Sequence, residues 1–209
     1  MGVPGFFAWV LKNYKKNNIV INSIDVDGGI DVLYLDANCL FHPQCFKTLE
    51  HFADWTNESI IEKKMMKRII AYIDFLHDYV GPKELYISVD GVAPMAKMNQ
   101  QRKRRYRSGD DTELRNQLKI KHGRPIGKPW SNTLITPGTE FMERLHQFIL
   151  KYMRTKKGVK ITYSSYHTAG EGEHKILQDI KIRLKTNKKE IIKFGIFDRP
   201  NSKKEGQKY

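Results

Sequence analysis

Asp36 and Asp90 each close a short apolar run, DVLYLD and ELYISVD, and a third motif, EGE, sets Glu171 and Glu173 on either side of one glycine. Carboxylates brought together raise one another's pKa and repel unless cations lie between them. Hard oxygen donors of this kind favour Mg2+ or Mn2+. Two such ions about 4 Å apart can activate a water and hold the leaving oxygen of a phosphodiester. Taken singly, each acid has a plainer alternative. Glu171 would be stabilised at a helix start, and any of the others could pair with a surface cation. Two strand-end aspartates together with EGE favour the metal reading.

A second chemistry follows Asp90 directly, in DGVAPMAKMNQQRKRRYRSG. With a helix starting near Pro94, Lys97, Gln101, Arg104, Arg105 and Ser108 fall three or four residues apart and share one face, while Arg102, Lys103 and Arg107 point elsewhere. Arg offers a planar fork matched to phosphate oxygens, Lys a compact charge and Gln a neutral donor. That set suits a terminal phosphate better than a smooth duplex backbone. The alternative for such a charge run is a solvated face or a localisation signal.

His42 follows Asp36 by six residues and would lie at the mouth of the site, stacking on a base or contacting phosphate. Its plainer alternative is a packed or solvated histidine. The run CLFHPQC offers Cys39, His42 and Cys45, one ligand short of a closed structural zinc site and without the paired spacing, so zinc is not read there.

These residues need elements to hold them. Asp31 to Leu35 reads as a buried strand delivering Asp36, and ELYISV as a second strand delivering Asp90. Between them Ile60, Ile61, Met65, Ile69, Ile73, Leu76 and Val80 recur at helical spacing, from a start near Thr56 to Ser59 to a stop at Gly81-Pro82. Residues 111–133 look irregular and predict an exposed loop or flexible crossover. A further helix starts near Pro137 with Phe141, Leu145, Phe148 and Tyr152 on one face. VKITYSSY predicts a third strand and EIIKFGIF a fourth, separated by a helix with Ile176, Leu177, Ile180 and Leu184 inward. Alternating strands and helices predict a parallel α/β sheet, whose ligands gather beyond the carboxyl ends of the strands.

The composition agrees with a polyanionic partner: 37 Lys and Arg against 23 Asp and Glu give a formal charge of +14 over 209 residues. Cys39 and Cys45 form no disulfide framework, which predicts a reducing, intracellular compartment. No apolar run is long enough to span a bilayer, and the opening MGVPGFFAWVLKNYKK lacks a basic region before its apolar segment, so neither membrane insertion nor secretion is expected. Phe6 stands where a myristoylation signal at Gly2 would carry Ser or Thr. The segment from Gly2 to Trp9 is expected to tuck against the core, and abundant Lys, Asn and Ile suggest an AT-rich coding genome.

Taken together and in order, MGVPGFFAWVLKNY, LYLDANCLFH, SVDGVAPMAKMNQQRKRRYRS, NTLITPGTEFM and GEGEHKI resemble the N-terminal conserved region of the XRN family of 5′-to-3′ exoribonucleases. The resemblance implies an α/β fold, a parallel twisted sheet flanked by helices in a PIN/FEN-like nuclease core, carried incompletely at the C-terminal end. It implies catalytic Mg2+, with Mn2+ as a substitute, held by Asp36, Asp90, Glu171 and Glu173, and a 5′-monophosphate pocket made by Lys97, Gln101, Arg104 and Arg105. His42 would stack near the first nucleotides, and the partner would be single-stranded RNA bearing a 5′-monophosphate. Residues 1–193 correspond to the nuclease region and residues 194–209 to a divergent polar tail, of which DRPNSKKEGQKY, residues 198–209, is expected to be disordered. Two further metal aspartates are implied where this chain reads KFGIFDRPNSKKEGQKY, with Asp198 near the place but no partner acid. That departure leaves three readings open: an exoribonuclease of weakened or lost activity, an inactive RNA 5′-end-binding module or a subunit completed by a second polypeptide, and a flap-type DNA nuclease. AKMNQQRKRRYRS argues against the last.

Overall fold

The computed structural model describes residues 9, 12–13, 29–51, 57–123, 130–186 and 193–197. Four parallel strands form one sheet: β1 (Val32–Asp36), β2 (Glu84–Ser88), β3 (Lys160–Ser164) and β4 (Phe194–Phe197), in the order β3-β2-β1-β4. Their residues alternate between two buried faces, as a parallel sheet covered on both sides requires. Leu33, Leu35, Leu85 and Ile87 meet α1 (Ala37–His51), α2 (Glu58–Val80) and α4 (Glu140–Thr155) on one side. Val32, Tyr34 and Tyr86 meet Ile176 of α5 (Gly172–Thr186) on the other.

Local signals set the helix ends. The Asn57 side chain caps α2 by accepting from Ile60 N, and Gly81 closes it with φ 61°, a left-handed turn that favours glycine. Thr139 caps α4 through Met142 N, so this helix begins at Glu140, three residues after Pro137. α2 and α4 are bolted together by Arg144, whose guanidinium reaches both oxygens of buried Glu62 at 2.9 Å.

Three expectations are corrected. Residues 111–121 are helical: α3 runs from Met95 to Lys121, because DDTELRNQLKIK is rich in helix formers and meets no stop before Gly123. Most of its described side chains beyond Gln101 are exposed, so it stands away from the core. Ile60 is 53% exposed, since the inward stripe of α2 passes through Ile61, Met65, Ile69 and Ile73. Leu177 and Leu184 are 60% and 57% exposed, because α5 turns Asp179 and Arg183 toward the sheet to satisfy Tyr34 and Glu84. Trp9 is exposed, and residues 2–8 with the polar tail after Phe197 lie outside the described residues.

Candidate active site

Because all four strands run the same way, their carboxyl ends share one edge. Asp36, Ser88 and Ser164 stand side by side there as the last residues of β1, β2 and β3. β1 lies where the strand order reverses, the position at which open α/β sheets hold ligands. The chain leaves β1 directly into α1, leaves β2 through Val89 and Asp90, and leaves β3 through residues 165–171 into α5.

The exits of β2 and β3 are zipped by their main chains. Val89 N donates to Ser164 O, Gly91 N to Gly170 O, and Gly170 N to Val92 O, each at 2.9 Å. The approach is so close that a Cβ at Gly91 would lie 1.9 Å from Thr168 O. Tyr166 anchors the same loop to α4 through a hydrogen bond to Glu143, and its ring stacks on His167 with centroids 4.2 Å apart.

Two of the four sequence-predicted acids, Asp36 and Asp90, close over Gly172. Its N–H donates to Asp90 Oδ1 at 2.6 Å. A Cβ on it would fall 2.8 Å from Asp36 Oδ1 and 3.4 Å from Asp90 Oδ1. Glu171 and Glu173 are its chain neighbours. Only a residue without a side chain leaves room for the two aspartates to close over the start of α5. Three side chains that sequence reasoning missed hold this arrangement. Asn38 Oδ1 accepts from Asp90 N at 3.2 Å, Ser88 Oγ donates to Gly172 O at 3.0 Å, and Lys175 Nζ donates to Val89 O at 2.7 Å. A polar Ser at the end of the apolar ELYIS run was the one local hint.

This donor set fits a hard divalent cation. Carboxylates crowd a cradle that a single methyl would fill, and Glu171, Glu173 and His174 each bring one ligand atom within 4.8 Å of the others. His174 was not singled out from the sequence. Cys45 is instead buried in the core and Cys39 Sγ donates to Asp36 O at 2.6 Å.

The first turn of α3 brings Lys97 to the same edge. Lys97 forms an ion pair with Glu171, both side chains being mostly enclosed. Burial opposes both charges, but the hydrogen bond and mutual attraction prevail, lowering Glu171 below the usual carboxylate range and raising Lys97. Gln101 is half-buried, whereas Arg102, Lys103 and Arg107 are exposed. Arg104, Arg105 and Ser108 belong to the helix, but their side chains lie outside the described residues. His42 is half-buried in α1 near enough to Asp90 to feel its charge, and burial lowers its pKa despite that attraction. Asp198 lies outside the described residues.

A parallel four-stranded sheet flanked by helices, with Asp36 and Asp90 beyond the carboxyl ends of β1 and β2, is an α/β fold of the nuclease-core type. The family model described as the XRN 5′-3′ exonuclease N-terminus matches residues 1–194. The chain is 37% identical over 191 residues to 5′-3′ exoribonuclease 1 of Homo sapiens, covering 87% of this chain and 11% of that protein. It is 35% identical over 198 residues to 5′-3′ exoribonuclease 1 of Saccharomyces cerevisiae, covering 90% and 13%. With the 5′-3′ exoribonuclease 2 homolog of Drosophila melanogaster it shares 34% over 221 residues, covering 87% and 24%. The chain belongs to the XRN 5′-3′ exonuclease N-terminal family. It spans between 11% and 24% of the length of these relatives.

Proposed function

We propose that this chain is the 5′-end-handling part of an exoribonuclease, taking 5′-monophosphorylated single-stranded RNA and releasing mononucleotides with Mg2+ ions held as a pair by Asp36, Asp90, Glu171 and Glu173. The observation that supports the reading is the closing of Asp36 and Asp90 over Gly172, whose chain neighbours are Glu171 and Glu173, with Glu171 paired to Lys97. Mn2+ would serve in place of Mg2+. Divalent cations held there supply Lewis-acid stabilisation of the charge that develops at a scissile phosphodiester.

The residues of the chain divide the remaining work. Lys97, Gln101, Arg104 and Arg105 grip the terminal phosphate with charge and planar forks, a pocket that a 5′-hydroxyl end leaves unfilled. α3 starts at Met95, shortly after the β2 exit, and Lys97 in its first turn pairs with Glu171, which supports a grip beside the acids that would present to them the bond after the first nucleotide. A fixed end selects exonucleolytic over internal cleavage. His42, whose pKa is lowered by burial, is neutral at pH 7 and meets RNA through its ring face or a neutral N–H.

End-labelled RNA with a 5′-monophosphate or a 5′-hydroxyl, incubated with the chain in Mg2+, Mn2+ or EDTA, tests this. Metal-dependent release of mononucleotides from the phosphorylated end alone is the expected result. Phosphate-selective retention without cleavage would reduce the chain to an end-binding module, and equal handling of both ends would refute the pocket. Arg104→Ala with Arg105→Ala should erase the discrimination.

A further inference from the structure

Lys175 sits in α5 two residues beyond Glu173, yet it is only 6% exposed. An ammonium withdrawn from water is tolerated only where hydrogen bonds or opposite charge receive it. Here two main-chain carbonyls do so: Val89 O at 2.7 Å, from the β2 exit, and Ser165 O at 2.9 Å, from the β3 exit. The side chain is therefore a bracket between the two segments that lead to the acids.

Its grip on Val89 reaches Asp90 directly. The Val89 carbonyl and the Asp90 N–H belong to one peptide unit, and that N–H donates to Asn38 Oδ1 at 3.2 Å. Both polar atoms of a single peptide are thus held by side chains, Lys175 from α5 and Asn38 from α1. A peptide plane fixed at both ends cannot rotate, so the direction in which Asp90 leaves the backbone is set before its carboxylate meets Gly172 N.

The geometry points to Lys175 as a positioning residue that sets where Asp90 stands relative to Asp36, Glu171 and Glu173, and through that sets the fit of the acids to a divalent cation. The cation part rests on the metal reading of those acids; the hold on the Val89–Asp90 peptide does not. The two roles open to a buried cation here differ in sign. An ammonium beside carboxylates repels an arriving cation, so if charge were its whole contribution, deleting it would tighten metal binding. If it is a bracket, deletion loosens the acids and weakens binding by about tenfold or more, the usual cost of losing a partner that orients a ligand.

The experiment compares the full chain with Lys175→Met, Lys175→Arg and Lys175→Gln, thermal melts first establishing that each folds. Hydrogen exchange at residues 89–92 should speed up by about tenfold in the Met variant and recover with Arg, which restores donors to the carbonyls. Unchanged exchange overturns the positioning role. Mn2+ titration followed by electron paramagnetic resonance should show about tenfold weaker binding in the Met variant. Equal or tighter binding overturns the link to the metal. A wild-type chain that retains no Mn2+ refutes the metal reading itself and with it that link, while exchange still decides whether Lys175 holds the peptide. Should the Met variant unfold, Lys175→Gln, whose shorter side chain keeps an amide NH2 and loses the charge, decides both comparisons.

Discussion

Lys97 and Glu171 are joined in an ion pair that ties the first turn of α3 to the residue preceding α5. One side chain belongs to the face proposed for a terminal phosphate, the other to the acids proposed for metal. On that proposal a cation at Glu171 would compete with the ammonium and free it for phosphate, coupling occupancy of the two halves by one factor in both directions. Lys97→Met should tighten Mn2+ binding by about fivefold and cut the preference for a 5′-phosphate by a similar factor. Titrating wild type with 5′-phosphorylated RNA should show tighter binding in Mg2+ than in EDTA. Unaltered Mn2+ affinity in the variant would remove the coupling.

Asp90→Asn preserves the acceptor for Gly172 N–H and deletes the charge. The fold should survive, cleavage should drop by at least about 100-fold, and RNA retention should stay within about threefold of wild type. Glu173→Gln should behave alike. Full activity in both variants, measured by single-turnover cleavage, would end the metal assignment.

Two glycines offer a contrast that separates site from scaffold. At Gly172 the added methyl of Gly172→Ala meets carboxylate atoms that can swing aside, so stability should change by no more than about 1 kcal/mol while Mn2+ affinity falls about tenfold. At Gly91 the obstacle is the Thr168 main chain, and Gly91→Ala should destabilise by about 3 kcal/mol. Urea unfolding and Mn2+ titration of both variants check this; equal unfolding midpoints for the pair would contradict it.

Glu84, buried at the start of β2, receives both arms of Arg183 at 2.9 and 2.6 Å, together with Lys160 and Thr162. The Arg183 hydrogen bonds hold its pKa at about 2 against the opposing effect of burial. A depressed carboxylate stabilises the fold above its unfolded value, about 4.3, and loses that contribution, about 3 kcal/mol, as pH falls toward the folded value. Glu84→Gln should therefore be clearly less stable than wild type at pH 7, with the gap closing near pH 2. A gap independent of pH would show that the carboxylate's charge is not what Arg183 holds.

Asp36 and Asp90 were legible because each ends an apolar run, and a strand delivers its last residue to a predictable edge. EGE was legible as a pair of acids around a glycine. The partners that aim them were not, since Asn38 and Asp90 are 52 residues apart, Ser88 and Gly172 84, and Val89 and Lys175 86. Nothing local distinguishes Lys175 from the solvated lysines of any helix. The miss at residues 111–121 had a different origin: the Gly, Pro and charges of HGRPIGKPW mark a break that begins only near Gly123, and the stretch before it is a helix standing away from the core, which needs no apolar stripe. Leu177 and Leu184 reversed the usual inference because the polar needs of Glu84 and Tyr34 outrank two leucines in deciding which side of α5 turns inward.

Glu84 begins β2 and Asp90 follows its end, so one strand carries a carboxylate at each pole of the sheet. The first is saturated by two cations and a hydroxyl; the second stands among other acids. The poles therefore differ in how freely evolution or an engineer can rewrite them. Replacing Glu84 and Arg183, together with the Asp179 that Arg183 also holds, by apolar residues of similar volume would leave stability unchanged or raised, as buried ionic clusters elsewhere allow. Around Gly172, by contrast, removing a carboxylate charge would relieve repulsion at the expense of the metal site proposed there. Thermostabilised versions of this domain are to be sought at the end of the sheet where Glu84 lies.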